Sequence, residues 1–600
     1  MNILPPLAVA LPLSAAALLA GLNRHIGRRI SSLAAIAVAA ATLWISIELL
    51  IRSIPNTIVY WFGNWQPRHG IALGISFVID PAGAAMASIA GLLTLAALIF
   101  SSKYFDSIGT LFHVLMLVFL GAMSGFALTG DLFNLFVFFE LMSAAAYGLC
   151  GYKTEEPAPV QGALNFAVTN TVGCYFMLTG IGLVYARTGA LNLAQIGHAL
   201  DQGGPDPLVI AAFTFMACGF FVKAAVVPFH FWLADAHAVA PTPVCVLYSG
   251  IMVELAVYAV ARVYWTAFSG AFASGTQPLR ALLVTMGIAT ALVGGGMCFG
   301  QRNLKRLLAF STISHVGLMA IGFGFLDVHG LAGALLQILG HAGAKSGLFL
   351  CAGIILHRCR TVDEMELKGK TRNLPFTMGA LVVAAAALGG SPLSGISVGD
   401  TMLESAARHE GYGWIVWVST AADVLTSAAI FRFAARTYAN LGPAQAREPE
   451  QPQKTEEKPE TDKGSQDTPA VMFIPAALLT VASLLLGVSQ GLQRFMVTAA
   501  GRFEDHAGYV RRVLDNVPVS LPVAATVPHE DMLHGVVTVG IAFALGVVFL
   551  VWERGRKSLT AVARPVMLVR DLHSGHVGDY VTWVVFGIAA FGAAALLSLR

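Results

Sequence analysis

Charge is what this chain has least of. Asp, Glu, Lys and Arg make up 12% of its 600 residues, about half the share found in an ordinary soluble domain. So few charges cannot clothe a water-soluble domain of this length. The 56% hydrophobic content and a mean hydropathy of +0.71 place most of the chain in a bilayer. No dense basic tract exists, so the net charge of +3 gives no reason to expect nucleic acid as a partner. The seven cysteines fall singly, with no CxxC pair, which points to packing rather than disulfide or metal roles. Flavin, nucleotide, iron–sulfur and quinone signatures are missing as well. The chain is therefore expected to hold no cofactor and no metal, and any redox chemistry falls to its neighbours. The opening Met1-Asn-Ile-Leu-Pro-Pro lacks the basic start of a cleaved signal peptide, so Ile3–Leu22 reads as a retained first span.

What the chain has is a succession of apolar runs. A span needs about 20 apolar residues to cross roughly 30 Å of hydrocarbon. That rule predicts an all-α polytopic membrane protein with about sixteen transmembrane helices, running from 3–21 to 578–598. The twelfth span, 376–404, is interrupted. Basic clusters at Arg24, Arg28 and Arg29, at Arg302, Lys305 and Arg306, and at Arg358 through Arg372 follow odd-numbered spans. The positive-inside rule then places both termini outside. Basic residues within 501–512 run against this pattern. Between Pro443 and Lys463 the chain has almost no apolar side chain and mixes Pro, Glu and Lys. Such a composition cannot bury enough apolar surface to fold, so a disordered cytoplasmic loop is expected over 438–470.

Several ionisable residues lie inside the spans. Lys223 ends Phe213-Thr-Phe-Met-Ala-Cys-Gly-Phe-Phe-Val-Lys223, Glu140 interrupts Leu135-Phe-Val-Phe-Phe-Glu-Leu-Met142, and His341 and Lys345 share Gly340-His-Ala-Gly-Ala-Lys-Ser346. Intramembrane charges face a protein interior or a hydrated cavity and mark ion paths. Two spans are also broken. One carries Lys223, then Pro228 and the polar run from Phe229 to Pro241. The other reads Gly389-Gly-Ser-Pro-Leu-Ser-Gly395, followed by Asp400 and Glu404. Proline removes a helix donor and leaves free carbonyls, which are tolerated at membrane depth only where protein or water satisfies them. Broken helices at matching places in two halves point to a transporter built from repeats. The breaks lie five spans apart, and an odd shift inverts the second copy.

Asp131-Leu-Phe-Asn-Leu-Phe-Val-Phe-Phe-Glu140, Phe221-Val-Lys223-Ala-Ala-Val-Val-Pro-Phe-His-Phe-Trp-Leu-Ala-Asp-Ala-His237, Pro241-Thr-Pro-Val, Asn303-Leu-Lys-Arg-Leu-Leu-Ala-Phe-Ser-Thr-Ile-Ser-His315 and His341-Ala-Gly-Ala-Lys345 follow one another in order. Together they resemble the antiporter-like membrane subunits shared by respiratory complex I, Mrp-type cation/proton antiporters and energy-converting, formate hydrogenlyase-type hydrogenases. The resemblance runs from about Gly109 to Arg436, preceded by the weaker feature Phe77-Val-Ile-Asp80-Pro. It implies two inverted five-helix repeats, 109–267 and 281–437, between N-terminal helices at 1–108 and C-terminal helices at 471–600. It also implies that Glu140 pairs with Lys223, and that His341 and Lys345 form a central relay. Burial disfavours a lysine's charged form and a nearby carboxylate favours it, so a change in their separation can pass a proton on.

The chain departs from the family pattern twice. Glu254 stands where the family often has a lysine, and Gly399 where it commonly has a lysine or glutamate, just before Asp400. The expected relay is therefore Glu140, Lys223, Glu254, His341, Lys345 and Asp400. His230, His237, His315 and Glu404 are candidates for proton uptake or secondary relay, and helix capping is an equal alternative for His230 and His237. The function implied is a proton-translocating subunit of a multi-subunit respiratory or hydrogenase-type complex in the inner (plasma) membrane, with other membrane subunits as partners. The alternatives are a subunit of an Mrp-type Na+/H+ antiporter, or the membrane partner of a soluble inorganic-carbon uptake protein.

Overall fold

The computed structural model describes residues 3–106, 108–201, 203–443, 456–459, 467–518, 532–555 and 572–599. Among these, fifteen helices are long and apolar enough to cross a membrane. Helices α1 (Leu4–Gly21) and α2 (Arg28–Ser53) lie at the edge, followed by α3 (Pro81–Tyr104), α4 (Thr110–Leu128), α5 (Leu132–Cys150) and α6 (Pro157–Thr188). A short α7 (Leu193–Leu200) leads to α8 (Pro207–Ala224), which ends in the first break; α9 (Phe231–Val239) follows it. Next, α10 (Thr242–Leu247) runs through a π turn into α11 (Val253–Val263) as one span, Thr242–Phe268. The second half comprises α12 (Thr276–Gly300), α13 (Leu304–Gly324), α14 (Val328–Cys359), α15 (Pro375–Leu388), α16 (Gly395–His409) and α17 (Ile415–Thr437). After the polar loop come α18 (Ala470–Leu485), α19 (Gln490–Glu504), α20 (His506–Leu514), α21 (Met532–Gly555) and α22 (Val577–Ser598). Helices α15 and α16 share the interrupted twelfth span, which together with the fifteen makes the sixteen expected.

Burial separates the bundle's centre from its rim. The apolar windows of Thr242–Phe268 and Leu304–Gly324 are wholly buried, whereas those of Met532–Glu553 and Val577–Ser598 are only 28% buried. The central helices α11, α13 and α14 are therefore walled by protein, and the outer ones offer side chains such as Leu533, Val548 and Phe586 to lipid or to other subunits. Several of the helices that carry buried charge begin at firm caps. The Asp131 carboxylate accepts from the Asn134 N–H at the start of α5, Asp327 from Gly330 at the start of α14, and Ser394 from Ser397 at the start of α16. A cap of this kind is worth about 1 kcal/mol and fixes where each helix starts.

The fold is helical as the sequence implies, with one small addition: a two-stranded antiparallel sheet, β1 (Ile58–Trp61) with β2 (Ser76–Ile79), between α2 and α3 in the chain. The structure departs from the sequence reading in two places. The basic residues at 501–512 are spent internally: Arg502 donates to Ser53 O at 2.7 Å and Arg512 to Thr57 O at 2.9 Å. Residues 444–455 and 460–466 of the polar loop lie outside the described residues, but 456–459 do not lie free. They dock into the bundle, with Glu457 buried.

Candidate functional site

The first break is built so that its backbone is satisfied. Helix α8 ends at Ala225, whose φ of +56° turns the chain, and the Trp232 indole donates back to the Val222 carbonyl at 2.8 Å. The Val227 N–H reaches Thr290 Oγ1 at 3.0 Å. These bonds allow non-helical backbone at membrane depth and hold Lys223 in the last turn of α8. Lys223 is fully buried and donates to Ser143 Oγ at 2.6 Å, with its ammonium 4.9 Å from the Phe139 ring centroid and 5.2 Å from that of Phe166. Ser143 lies three residues after Glu140 on α5. The expected pair is thus not a direct ion pair. Lys223 meets the serine, and Glu140 Oε1 is buried with no hydrogen-bond partner among the described residues. The Lys223 ammonium lies among the rings of Phe139 and Tyr147 on α5 and Phe166 on α6.

Helix α14 forms the spine of the site. Gln337, His341 and Lys345 recur every four residues, which puts them on one face. Each meets a different element. Gln337 Nε2 donates to Asp400 Oδ1 at 2.5 Å, joining α14 to α16. His341 Nδ1 lies 2.5 Å from Glu254 Oε1, joining α14 to α11, and both side chains are fully buried. Lys345 donates to the Leu308 carbonyl at 3.0 Å and to Ser311 Oγ, joining α14 to α13. Glu254 therefore partners His341. His315, on α13, lies with its ring centroid 5.2 Å from that of His341, and its Nε2 is 3.4 Å from Thr426 Oγ1.

The remaining candidates divide. His237 is buried, with Nε2 2.9 Å from Ser249 Oγ, which is 2.9 Å from Thr312 Oγ1. This carries a polar line from α9 to α13, one residue from Ser311 and the Lys345 contact. His237 therefore does not cap a helix. His230 occupies the N-cap position of α9 but makes no side-chain cap bond there; it packs against His573, 5.1 Å between ring centroids. Glu404 accepts from Ser419 at 3.2 Å and lines a cavity of about 130 Å³ with Asp400, Asp423 and His534.

Gly399 has a steric reason. A Cβ there would stand 2.6 Å from Gln337 Cγ and 2.9 Å from the Gln337 nitrogen, because α16 crosses α14 at that point. No longer side chain fits, and Asp400 next to it carries the acid instead. Asp423 and Gln337 join the site without having stood out in the sequence. Asp423 meets the same criterion as Glu140, an acid inside a span, and the spacing of four from His341 marks Gln337.

Broken helices with buried acids, lysines and histidines on a central spine define an antiporter-like membrane subunit. Residues 129–426 match the family described as NADH:quinone oxidoreductase/Mrp antiporter, transmembrane. NADH-quinone oxidoreductase subunit N of Desulforudis audaxviator is 32% identical over 493 residues, which span 81% of this chain and 95% of that one. A Na(+)/H(+) antiporter subunit of Alkalihalophilus pseudofirmus is 26% identical over 528 residues, which span 86% of this chain and 100% of that one. A solved Mrp complex from a Dietzia species contains a chain that superposes with a TM-score of 0.74 at 26% identity, over 86% of this chain and 100% of that one. The chain belongs to the NADH:quinone oxidoreductase/Mrp antiporter family.

Proposed function

We propose that this subunit passes protons through the middle of the bilayer along the polar face of α14, as part of a multi-subunit respiratory or hydrogenase-type complex in the plasma membrane. The observation that carries the reading is the single face of α14 on which Gln337, His341 and Lys345 each engage a separate helix. Imidazole and carboxylate at 2.5 Å hold a proton between them, and lysine and serine groups continue the line on either side. Lys223, Glu140 and Ser143 form the first station. His237, Ser249 and Thr312 form a side branch, and Asp400, Asp423 and Glu404 form the last station at the second break. In this reading electron transfer belongs to partner subunits.

A second reading is favoured by the full-length similarity to a Na(+)/H(+) antiporter subunit: the protein works in a cation/proton antiporter with no redox partner. Sealed vesicles holding the assembled complex separate the two. Substrate-driven acidification that needs no sodium supports the first reading. A pH change seen only when a sodium gradient is imposed supports the second. A Glu254→Gln variant that transports protons like the parent under both conditions removes the α14 line from the mechanism.

A further inference from the structure

Lys305 is a buried lysine that the relay does not use. It sits in the first turn of α13, where it donates to the Ala240 carbonyl at 2.6 Å. Its counter-ion is Glu457, with Nζ and Oε2 2.5 Å apart and side-chain exposures of 0% and 1%. Glu457 belongs to the short described stretch 456–459 of the polar loop, far from α13 in sequence. Its carboxylate is met by donors from several elements. Oε1 accepts the Tyr104 hydroxyl at 2.7 Å and the Thr242 N–H at 3.2 Å. Oε2 accepts the Thr242 hydroxyl at 2.8 Å as well as Lys305. The Glu457 N–H donates to the Ala238 carbonyl at 2.8 Å. Next to it, the Lys458 ammonium lies 3.5 Å from Glu156, and the Lys458 carbonyl accepts from Lys153 at 3.3 Å.

A Pro-, Glu- and Lys-rich loop has no apolar surface to draw it into a bundle. Burying a carboxylate is costly unless it is paired and its lone pairs are used. Here an ammonium, two hydroxyls and a backbone N–H from α3, α10 and α13 converge on one carboxylate. This is a built carboxylate-binding pocket, occupied by the chain's own glutamate. The pocket also has a position. Cys245, three residues along α10 from Thr242, has its Sγ 3.6 Å from both the Ala240 and the His237 carbonyls. The His237–Ser249–Thr312 line begins there.

We propose that Glu457 is an in-chain plug. It fills the carboxylate pocket formed by Lys305, Thr242 and Tyr104, and it closes the loop-side mouth of the His237 branch to water. The path on that side opens when the carboxylate leaves Lys305. The plug rests on the proton-path reading, but it is tested by water access rather than by transport.

The test is modification of Cys245 by a membrane-impermeant, positively charged methanethiosulfonate in vesicles of the assembled complex, read by peptide mass spectrometry. The other six cysteines serve as internal references. In the parent Cys245 reacts slowly. In Glu457→Ala it is expected to react about tenfold faster or more, since reaction of a buried thiol follows local opening. Millimolar acetate should refill the empty pocket and slow the reaction again, an effect that general loosening would not produce. If Glu457→Ala assembles poorly, Glu457→Gln keeps the shape and is expected to lie between the two rates. Parent-like labelling in both Glu457→Ala and Glu457→Gln overturns the plug, as does fast labelling that acetate leaves unchanged. A transport defect in Glu254→Gln alongside parent-like labelling in Glu457→Ala would sink the plug alone and leave the relay standing.

Discussion

Glu254 Oε1 stands 2.5 Å from His341 Nδ1, with neither side chain exposed. The other atom of each group, Glu254 Oε2 and His341 Nε2, has no hydrogen-bond partner among the described residues. A buried carboxylate and imidazole in this arrangement are each half used. On the proposed path, the bonded atoms share a proton site and the remaining ones are left open for a further hydrogen bond. Glu254 lies on α11 just after the π turn Tyr248–Met252, and π turns recur at functional sites.

Glu254→Gln removes the acid but keeps the shape. Proton transport should fall at least about tenfold, the effect of raising one transfer barrier by roughly 1.4 kcal/mol. Assembly should be retained. Glu254→Lys should not restore transport, because its ammonium would be brought up to His341 and towards Lys345, and like charges in a dry site repel. Dye-based acidification in vesicles measures both.

Lys223→Ala and Glu140→Gln should each strongly reduce transport with little change in the amount of assembled complex. Ser143→Ala deletes the hydroxyl that receives the Lys223 ammonium. It should cost less than Lys223→Ala, since the lysine keeps its aromatic surroundings, which hold a cation at about 0.5–2 kcal/mol per ring contact. Transport in Ser143→Ala as low as in Lys223→Ala would mean that the serine itself carries the proton.

Asp400→Asn and Asp423→Asn act on two acids that line one cavity. If they serve a single step, the double variant should be no worse than the more damaged single one, because groups acting as a unit are not additive. Multiplied losses in the double variant would assign them to separate steps.

Gly399→Lys returns the residue type expected from the family pattern. It should lower the yield and thermal stability of the complex rather than improve transport, because even a Cβ meets Gln337 at 2.6 Å. Overpacking of this sort costs about 1–3 kcal/mol for a few added methylenes. Melting of the detergent-solubilised complex, compared with Gly399→Ala, measures the effect.

The sequence by itself determined the membrane class, the number of spans, the two breaks and most of the charged candidates. It could do so because hydrocarbon imposes a length on each span and makes every buried charge conspicuous. Proline and glycine likewise mark a break wherever the fold places it. Only the tertiary structure decided who partners whom. Glu254 meets His341, and Lys223 meets Ser143 rather than Glu140. Gly399 is a crossing point rather than a lost relay group, and Glu457 lies inside the bundle although its segment reads as solvent-loving. Pairing depends on which helix faces which and at what height. Apolar composition leaves both free, because one lipid-compatible helix face resembles another until packing selects a neighbour.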